Sequence, residues 1–271
     1  MDTSQPVHVT DDELAELLEF AVSAAQAAGK EALPYFRASI AVENKLGGGA
    51  FDPVTQADKN VEAALRALIQ EAYPEHGLLG EEYGERAGNG LTWVIDPIDG
   101  TRAFMTGMLH WGVLVALYNG EDAVLGVMHQ PFTEETWLGD NRKAEYRRGG
   151  EVVPLSVRTG VALNEAVLTT TSPVFFTDES ELAAFRRLEA RAQLTRYGGD
   201  CYIYAMLAMG LVDAATDPGL NPYDIQALIP IIRGAGGLVT RWDGGNPCAG
   251  GAVIACGSPA LLEECLAELG R

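Results

Sequence analysis

The stretch Trp93-Val94-Ile95-Asp96-Pro97-Ile98-Asp99-Gly100-Thr101 decides how the chain is read. Trp93, Val94 and Ile95 are aromatic or β-branched, the types that favour a pleated, half-buried surface, and they predict a short buried strand. Pro97 has no N–H to give to a ladder and is expected to end it. Asp96 and Asp99 then emerge at the strand's carboxyl end, Gly100 permits a tight turn, and Thr101 caps the helix expected after it. Two hard oxygen donors so placed face the positive end of a helix, where phosphate oxygens also bind. Asp-Pro and Asp-Gly pairs are also ordinary turn formers, so the run needs company before it carries chemistry.

Company comes from elsewhere in the chain. Gly80-Glu81-Glu82 follows the apolar pair Leu78-Leu79 at another expected strand end. Pro222-Tyr223-Asp224 precedes the apolar, helix-like stretch Ile225 to Ile232, and Asp52 to Asp58 leads into a further helix. Asp58, Glu81, Asp96, Asp99 and Asp224 thus sit at element junctions, from which a rigid scaffold aims side chains into one cleft. Carboxylates crowded in this way repel one another and resist ionising together. Divalent cations relieve that conflict, and all-oxygen donors favour Mg²⁺, with Mn²⁺ as a substitute, over Zn²⁺.

These blocks, in this order and completed by Gly234-Ala235-Gly236-Gly237, resemble the lithium-sensitive, Mg²⁺-dependent inositol monophosphatase-like phosphatases over nearly the whole chain. Asp-Gly-Thr-Arg-Ala-Phe at 99 to 104 and Gly-Gly-Asp-Cys-Tyr at 198 to 202 look most like the histidinol-phosphate phosphatase branch. The resemblance implies an α/β fold, a layered αβαβα sandwich of the inositol monophosphatase and fructose-1,6-bisphosphatase type, and a homodimer. It implies one metal held by Glu81, Asp96 and the carbonyl of Ile98, and a second held by Asp96, Asp99 and Asp224. Thr101 and Asp58, with Glu81 through a water, would orient and deprotonate the attacking water. The N–H groups of Gly100 and Thr101 would bind phosphate oxygens. Gly199, Asp200 and Asp217 are expected on the leaving-group side. Asp200 stands where the inositol enzymes resemble one another in a small alanine, and a carboxylate there favours a cationic leaving group such as histidinol. Read from the residues alone, Asp58 is the N-cap of the second helix and Asp200 the cap of a helix at Cys201 to Met209.

Composition is that expected of a soluble globular protein. A chain of 271 residues, 47% hydrophobic, buries a sizeable core as one unit or two closely joined domains. No apolar run approaches the roughly 20 residues of a membrane span, and the polar start Met1 to Asp12 is no signal peptide, so a cytoplasmic location is expected. Cys201, Cys248, Cys256 and Cys265 show no zinc-type pairing and are read as reduced, half-buried thiols. Thirty-eight acidic against 19 basic residues give a net charge of −19, which disfavours nucleic acid and anionic membranes as partners. A phosphate ester is repelled as well unless metal ions invert the local potential. His8, His76, His110 and His129 are scattered, no serine stands in a nucleophile elbow, and the glycine clusters lack a Walker or dinucleotide pattern. No nucleotide cofactor is expected.

Along the chain, Thr10 to Glu13 is a capping box, followed by Leu14, Leu17, Leu18, Ala21, Ala25 and Ala28 at helical spacing. Asn44 to Ala50, with Lys45, reads as a mobile loop beside the cleft. A second helix is expected from about Asp58 to Ala72. Trp111 to Tyr118 and Ala123 to Gln130 read as a hairpin. Strands are expected next at Glu135 to Gly139 and Ala166 to Thr171. Beyond these the chain alternates helices at Glu179 to Gln193 and Cys201 to Met209 with strands near Val212 to Thr216, Leu238 to Trp242 and Val253 to Cys256. Pro259 to Leu269 is a closing helix. The polar stretch Asp140 to Glu151 suggests a boundary between an α+β first lobe, 1–145, carrying most metal ligands, and an α/β second lobe, 146–271, carrying the substrate residues and Asp224. The favoured function is a metal-dependent phosphomonoesterase acting on a small phosphorylated metabolite, L-histidinol phosphate, with inositol-1-phosphate or another sugar phosphate as the alternative. A non-catalytic relative that binds a phosphorylated ligand or metal is the reading from a different class, and the presence of Thr101 and Asp58 beside every metal carboxylate argues against it.

Overall fold

The computed structural model describes residues 5–38, 42–44 and 53–270. In chain order the elements are α1 (Asp11–Gly29), β1 (Val42–Asn44), β2 (Pro53–Thr55), α2 (Gln56–Ala72), β3 (Gly77–Gly80), β4 (Gly84–Arg86), β5 (Thr92–Asp99), α3 (Thr101–Met105), β6 (Gly112–Tyr118), β7 (Ala123–Gln130), β8 (Glu135–Gly139), β9 (Ala144–Arg148), β10 (Glu151–Pro154), β11 (Val167–Thr170), α4 (Glu179–Arg191), β12 (Leu194–Tyr197), α5 (Cys201–Ala208), β13 (Ala214–Leu220), α6 (Pro222–Ile225), α7 (Leu228–Gly234), β14 (Leu238–Arg241), β15 (Gly251–Cys256) and α8 (Pro259–Leu269). Of the loop expected at Asn44 to Ala50, Asn44 is the last residue of β1, and 45–50, with Lys45, lie outside the described residues.

Two large sheets organise the described residues, beside a two-stranded antiparallel ladder of β1 and β2. The first has eight strands in the order β10-β9-β8-β7-β6-β5-β3-β4, antiparallel except where β3 runs beside β5. The second has five, β12-β11-β13-β15-β14, with β11 parallel to both its neighbours. Helices α1 and α2 cover the outer face of the first sheet, α5 and α7 fill the space between the sheets, and α4 and α8 cover the far face of the second. The result is the αβαβα sandwich that the sequence implied.

Period-2 geometry explains the unbroken apolar run of β5. Trp93 and Ile95 join the core under α1 and α2, while Val94 joins the core shared with α5 and α7. Each fully buried side chain of this kind contributes roughly 1.5–3 kcal/mol. Helix α1 keeps the expected capping box between Thr10 and Glu13 and buries the expected stripe from Leu14 to Ala28. At the layer contact α7 lies almost on the strands: a Cβ at Gly126 would sit 1.9 Å from the Ala227 carbonyl oxygen, so glycine is what lets the helix dock.

Several expectations need correction. Strand β5 does not stop at Pro97 but continues to Asp99, because the ladder with β6 slips between Asp96 and Asp99 and leaves the proline at a bulge that needs no N–H. Asp58 is not the N-cap of α2; Thr55 is, and Asp58 is the third helical residue of its capping box. Asp224 lies inside the short α6 rather than before it, and Gln226 and Ala227 separate α6 from α7. The polar stretch Asp140 to Glu151 does not end the first sheet. Strands β9 and β10 extend it to Pro154, so the changeover between sheets comes between Pro154 and Val167. All four cysteines are free, and buried rather than half-buried.

Candidate active site

Element ends of both halves meet around a cavity of about 490 Å³. From the first sheet come Glu81, just past β3, and Asp96, Ile98 and Asp99 at the end of β5, followed by Gly100 and Thr101 at the start of α3. From the second half come Asp200, Asp217 and Asp224. Gly100 is required twice over: its φ is +85°, and a Cβ there would lie 2.4 Å from the His110 carbonyl oxygen.

Each central carboxylate is aimed by a hydrogen bond. The Ile98 N–H donates to Asp96 Oδ1 at 3.1 Å, an Asx-type turn spanning the bulge. The Cys201 N–H, at the start of α5, donates to Asp99 Oδ2 at 2.6 Å. The Asn221 N–H donates to Asp224 Oδ2 at 2.6 Å within the first turn of α6. So oriented, Asp96, Asp99 and Asp224 bring one carboxylate oxygen each to within 4.8 Å of one another. Glu81 faces Asp96 but falls outside that group of three. The Ile98 carbonyl accepts the Thr101 hydroxyl at 3.1 Å.

Asp58 stands behind the cavity wall, 1% exposed. Its Oδ2 accepts the Thr55 N–H at 2.8 Å and the Thr55 hydroxyl at 2.6 Å, while its Oδ1 lies 3.3 Å from the Thr101 hydroxyl. The three residues form a chain leading from the cavity to a buried carboxylate.

Burial, followed by repulsion from Glu81, Asp99, Asp224 and Asp58, raises the Asp96 carboxyl well above the usual range. Burial and then the charges of Asp200 and Asp224 do the same to Asp99, against the hydrogen bond from Cys201. Burial and then Asp217 lift Asp200 to about 7, with Arg102 opposing. A cluster that resists its own ionisation, with oxygens this close, suits a divalent cation bound by oxygen.

Asp200 occupies the N-cap position of α5 with φ at +46°, yet its side chain makes no capping hydrogen bond and lines the cavity instead. Gly199 lies outside the cavity lining; its carbonyl accepts the Tyr202 N–H at 2.7 Å. Asp217 lines the cavity but is 2% exposed and is held by its own neighbours. Sequence reasoning missed Arg102, whose guanidinium carbon lies 4.7 Å from the centre of the Phe175 ring, and missed Thr171 and Tyr204 on the Asp217 side. Tyr204 was open to discovery, being one helical turn beyond Asp200; Phe175 gave no signal.

A family model described as the inositol monophosphatase family matches residues 13–271. The chain belongs to that family. It is 37% identical over 247 residues to the chloroplastic bifunctional phosphatase IMPL2 of Arabidopsis thaliana, covering 90% of this chain and 69% of that protein. It is 32% identical over 256 residues to a histidinol-phosphatase of Chlorobaculum parvum, covering 94% and 96%. An inositol monophosphatase from Zymomonas mobilis superposes with a TM-score of 0.83 at 36% identity, covering 95% of this chain and 98% of that one. The chain is accordingly a phosphoric monoester hydrolase of a metal-dependent family, and its three converging carboxylates are able to hold a metal ion.

Proposed function

We propose that the chain is a Mg²⁺-dependent phosphomonoesterase with L-histidinol phosphate as its preferred substrate. The observation that carries the substrate is Asp200, a carboxylate that leaves the helix it could cap and lines the cavity. Similarity to histidinol-phosphatases at 32% identity supports the same reading.

Glu81, Asp96, the Ile98 carbonyl, Asp99 and Asp224 would hold the ions, whose chemistry when bound is to neutralise phosphate oxygens, acidify the attacking water and stabilise the leaving alkoxide. The protein's own groups do the rest. Thr101, hydrogen-bonded to Asp58, orients the water and passes its proton toward that buried carboxylate, with Glu81 acting through a further water. The N–H groups of Gly100 and Thr101 receive phosphate oxygens. Asp200 attracts the ammonium of the leaving group, and the arriving cation in turn favours its ionised form.

The second reading, inositol-1-phosphate or another sugar phosphate, draws on the likeness to the Zymomonas mobilis enzyme. To decide, kcat/KM for L-histidinol phosphate and myo-inositol-1-phosphate is compared in wild type and Asp200→Ala. Loss of one charged hydrogen bond should cost the variant about 1.5–3 kcal/mol for histidinol phosphate only. A wild-type preference for the inositol ester, or equal losses for both, rules the histidinol reading out. A cytoplasmic homodimer is part of the same proposal. The net charge of −19 disfavours nucleic acid and anionic membranes as partners, and similarity to histidinol-phosphatases supports a small phosphorylated metabolite.

A further inference from the structure

Asp217 borders the cavity, yet its carboxylate is already occupied. Its Oδ1 accepts the Thr170 hydroxyl at 2.9 Å and the Thr171 N–H at 2.7 Å. Its Oδ2 accepts the Thr171 hydroxyl at 3.2 Å and the Tyr204 hydroxyl at 3.0 Å. Four donors fill one carboxylate, so Asp217 has little capacity left for a leaving group.

The consequence falls on its donors. A hydroxyl has a single proton, and those of Thr171 and Tyr204 are spent on Asp217. Both residues border the cavity, Tyr204 with only 2% of its surface exposed, and toward any group that reaches them there their oxygens are left only as acceptors. An ionised Asp200 carboxylate is acceptor-only as well. Arg102, stacked over Phe175, enters from α3 and supplies donors from a different element.

We infer that Thr171 and Tyr204 are specificity-determining residues and Asp217 a positioning residue: Asp217 turns the two hydroxyls so that, with Asp200, they form an acceptor-only wall that selects a leaving group by the N–H or O–H donors it presents. The inference deepens the proposed function and rests on its placing of the leaving group beside Asp200. Charge alone makes a different prediction, because an ammonium and a quaternary ammonium carry the same charge while only the first has donors.

The test uses phosphoethanolamine and phosphocholine, esters of equal charge with and without N–H groups, in a phosphate-release assay with the Mg²⁺-loaded protein. Wild type should favour the N–H ester by about tenfold in kcat/KM, the worth of a lost hydrogen bond. Tyr204→Phe and Thr171→Val should each shrink that ratio. Asp217→Asn should bring it near one, since an amide nitrogen in place of Oδ2 donates to both hydroxyls and turns their protons into the cavity. Should Asp217→Asn fail to fold by circular dichroism, the other two variants decide the matter. A wild-type ratio near one, or a ratio unmoved by every folded variant, overturns the inference; the second result would mean that the quaternary ester is excluded by bulk. If wild type instead prefers myo-inositol-1-phosphate to L-histidinol phosphate, the cationic substrate falls, and the acceptor wall still stands or falls on the ratio.

Discussion

Replacing Asp96 by asparagine should make the metal-free protein more stable and the metal-loaded protein inactive. Asp96 is 2% exposed, and its carboxylate lies with those of Asp99 and Asp224 inside a 4.8 Å group. At that separation and an effective dielectric constant near 20, two full charges repel by about 3 kcal/mol. The metal-free cluster escapes part of that cost by holding protons, which is why the Asp96 carboxyl is pushed far above its ordinary range. An amide has nothing to protonate and keeps the acceptor for the Ile98 N–H. We expect the metal-free variant to gain about 2 kcal/mol, a rise in Tm of roughly 4–8 °C for a chain of this size. The wild type should recover the difference through binding, since Mg²⁺ at 100 times its Kd stabilises by about 2.7 kcal/mol. Thermal unfolding by circular dichroism, in chelator and across a Mg²⁺ titration, gives all four Tm values, and phosphate release gives turnover. Equal or lower stability of the metal-free variant, or an undiminished Mg²⁺-dependent rise in its Tm, would refute the assignment of Asp96 to an electrostatically strained metal centre.

Thr101→Ala should lower kcat by about 10²-fold while leaving Mg²⁺ affinity by calorimetry close to wild type, whereas Glu81→Gln should damage both; equal losses of affinity would contradict the division between water-orienting and metal-holding residues. His129, buried and hydrogen-bonded to the Glu135 carbonyl and Thr136, is depressed by burial to about 4. The unfolded chain, with an ordinary value near 6.5, therefore binds the extra proton first, and stability present above that pH is lost as pH falls toward 4, by about 3 kcal/mol in all; urea denaturation from pH 7 to 4 should show a shallower loss in His129→Gln. Gly126→Ala drives a methyl group into the Ala227 carbonyl and should cost about 3 kcal/mol or abolish folding, and an unchanged Tm would show that α7 is not docked as described.

How much of the fold and site was legible in the sequence depended on whether the signal was local. The capping box at Thr10 and the hairpin of two apolar runs joined by the turn Asn119 to Asp122 were readable because neighbours in sequence supply them. Strands β9 and β10 were not, since a polar sequence only partly buried in β9 and wholly exposed in the edge strand β10 shows no alternation. The carboxylates were legible at element ends, but that Gly199 lies outside the cavity lining, and that Asp217 lines it while accepting hydrogen bonds from Thr170, Thr171 and Tyr204, is visible only in the fold. Arg102 and Phe175 meet across the fold from positions 73 residues apart, and no pattern in the chain announces such a contact.

The site also shows why turn-forming and metal-holding readings of one motif are not rivals. Thr55 and Asp58, like Asn221 and Asp224, stand three residues apart, the spacing at which a side chain in the first turn of a helix reaches back to the N-cap N–H. Asp96 and Ile98 stand two apart, the spacing of an Asx turn. In each case the local hydrogen bond fixes one carboxylate oxygen, and with it the direction of the other, before any ion arrives. Asp99 is the exception: its anchor is the Cys201 N–H, 102 residues away. Three of the four carboxylates are therefore aimed by their own helix or strand ends, and the fourth only when α5 docks between the sheets. A fault in layer packing should then reach the metal centre through Asp99 first, which makes the Asp99–Cys201 bond the point where folding of the sandwich and assembly of the site become one event.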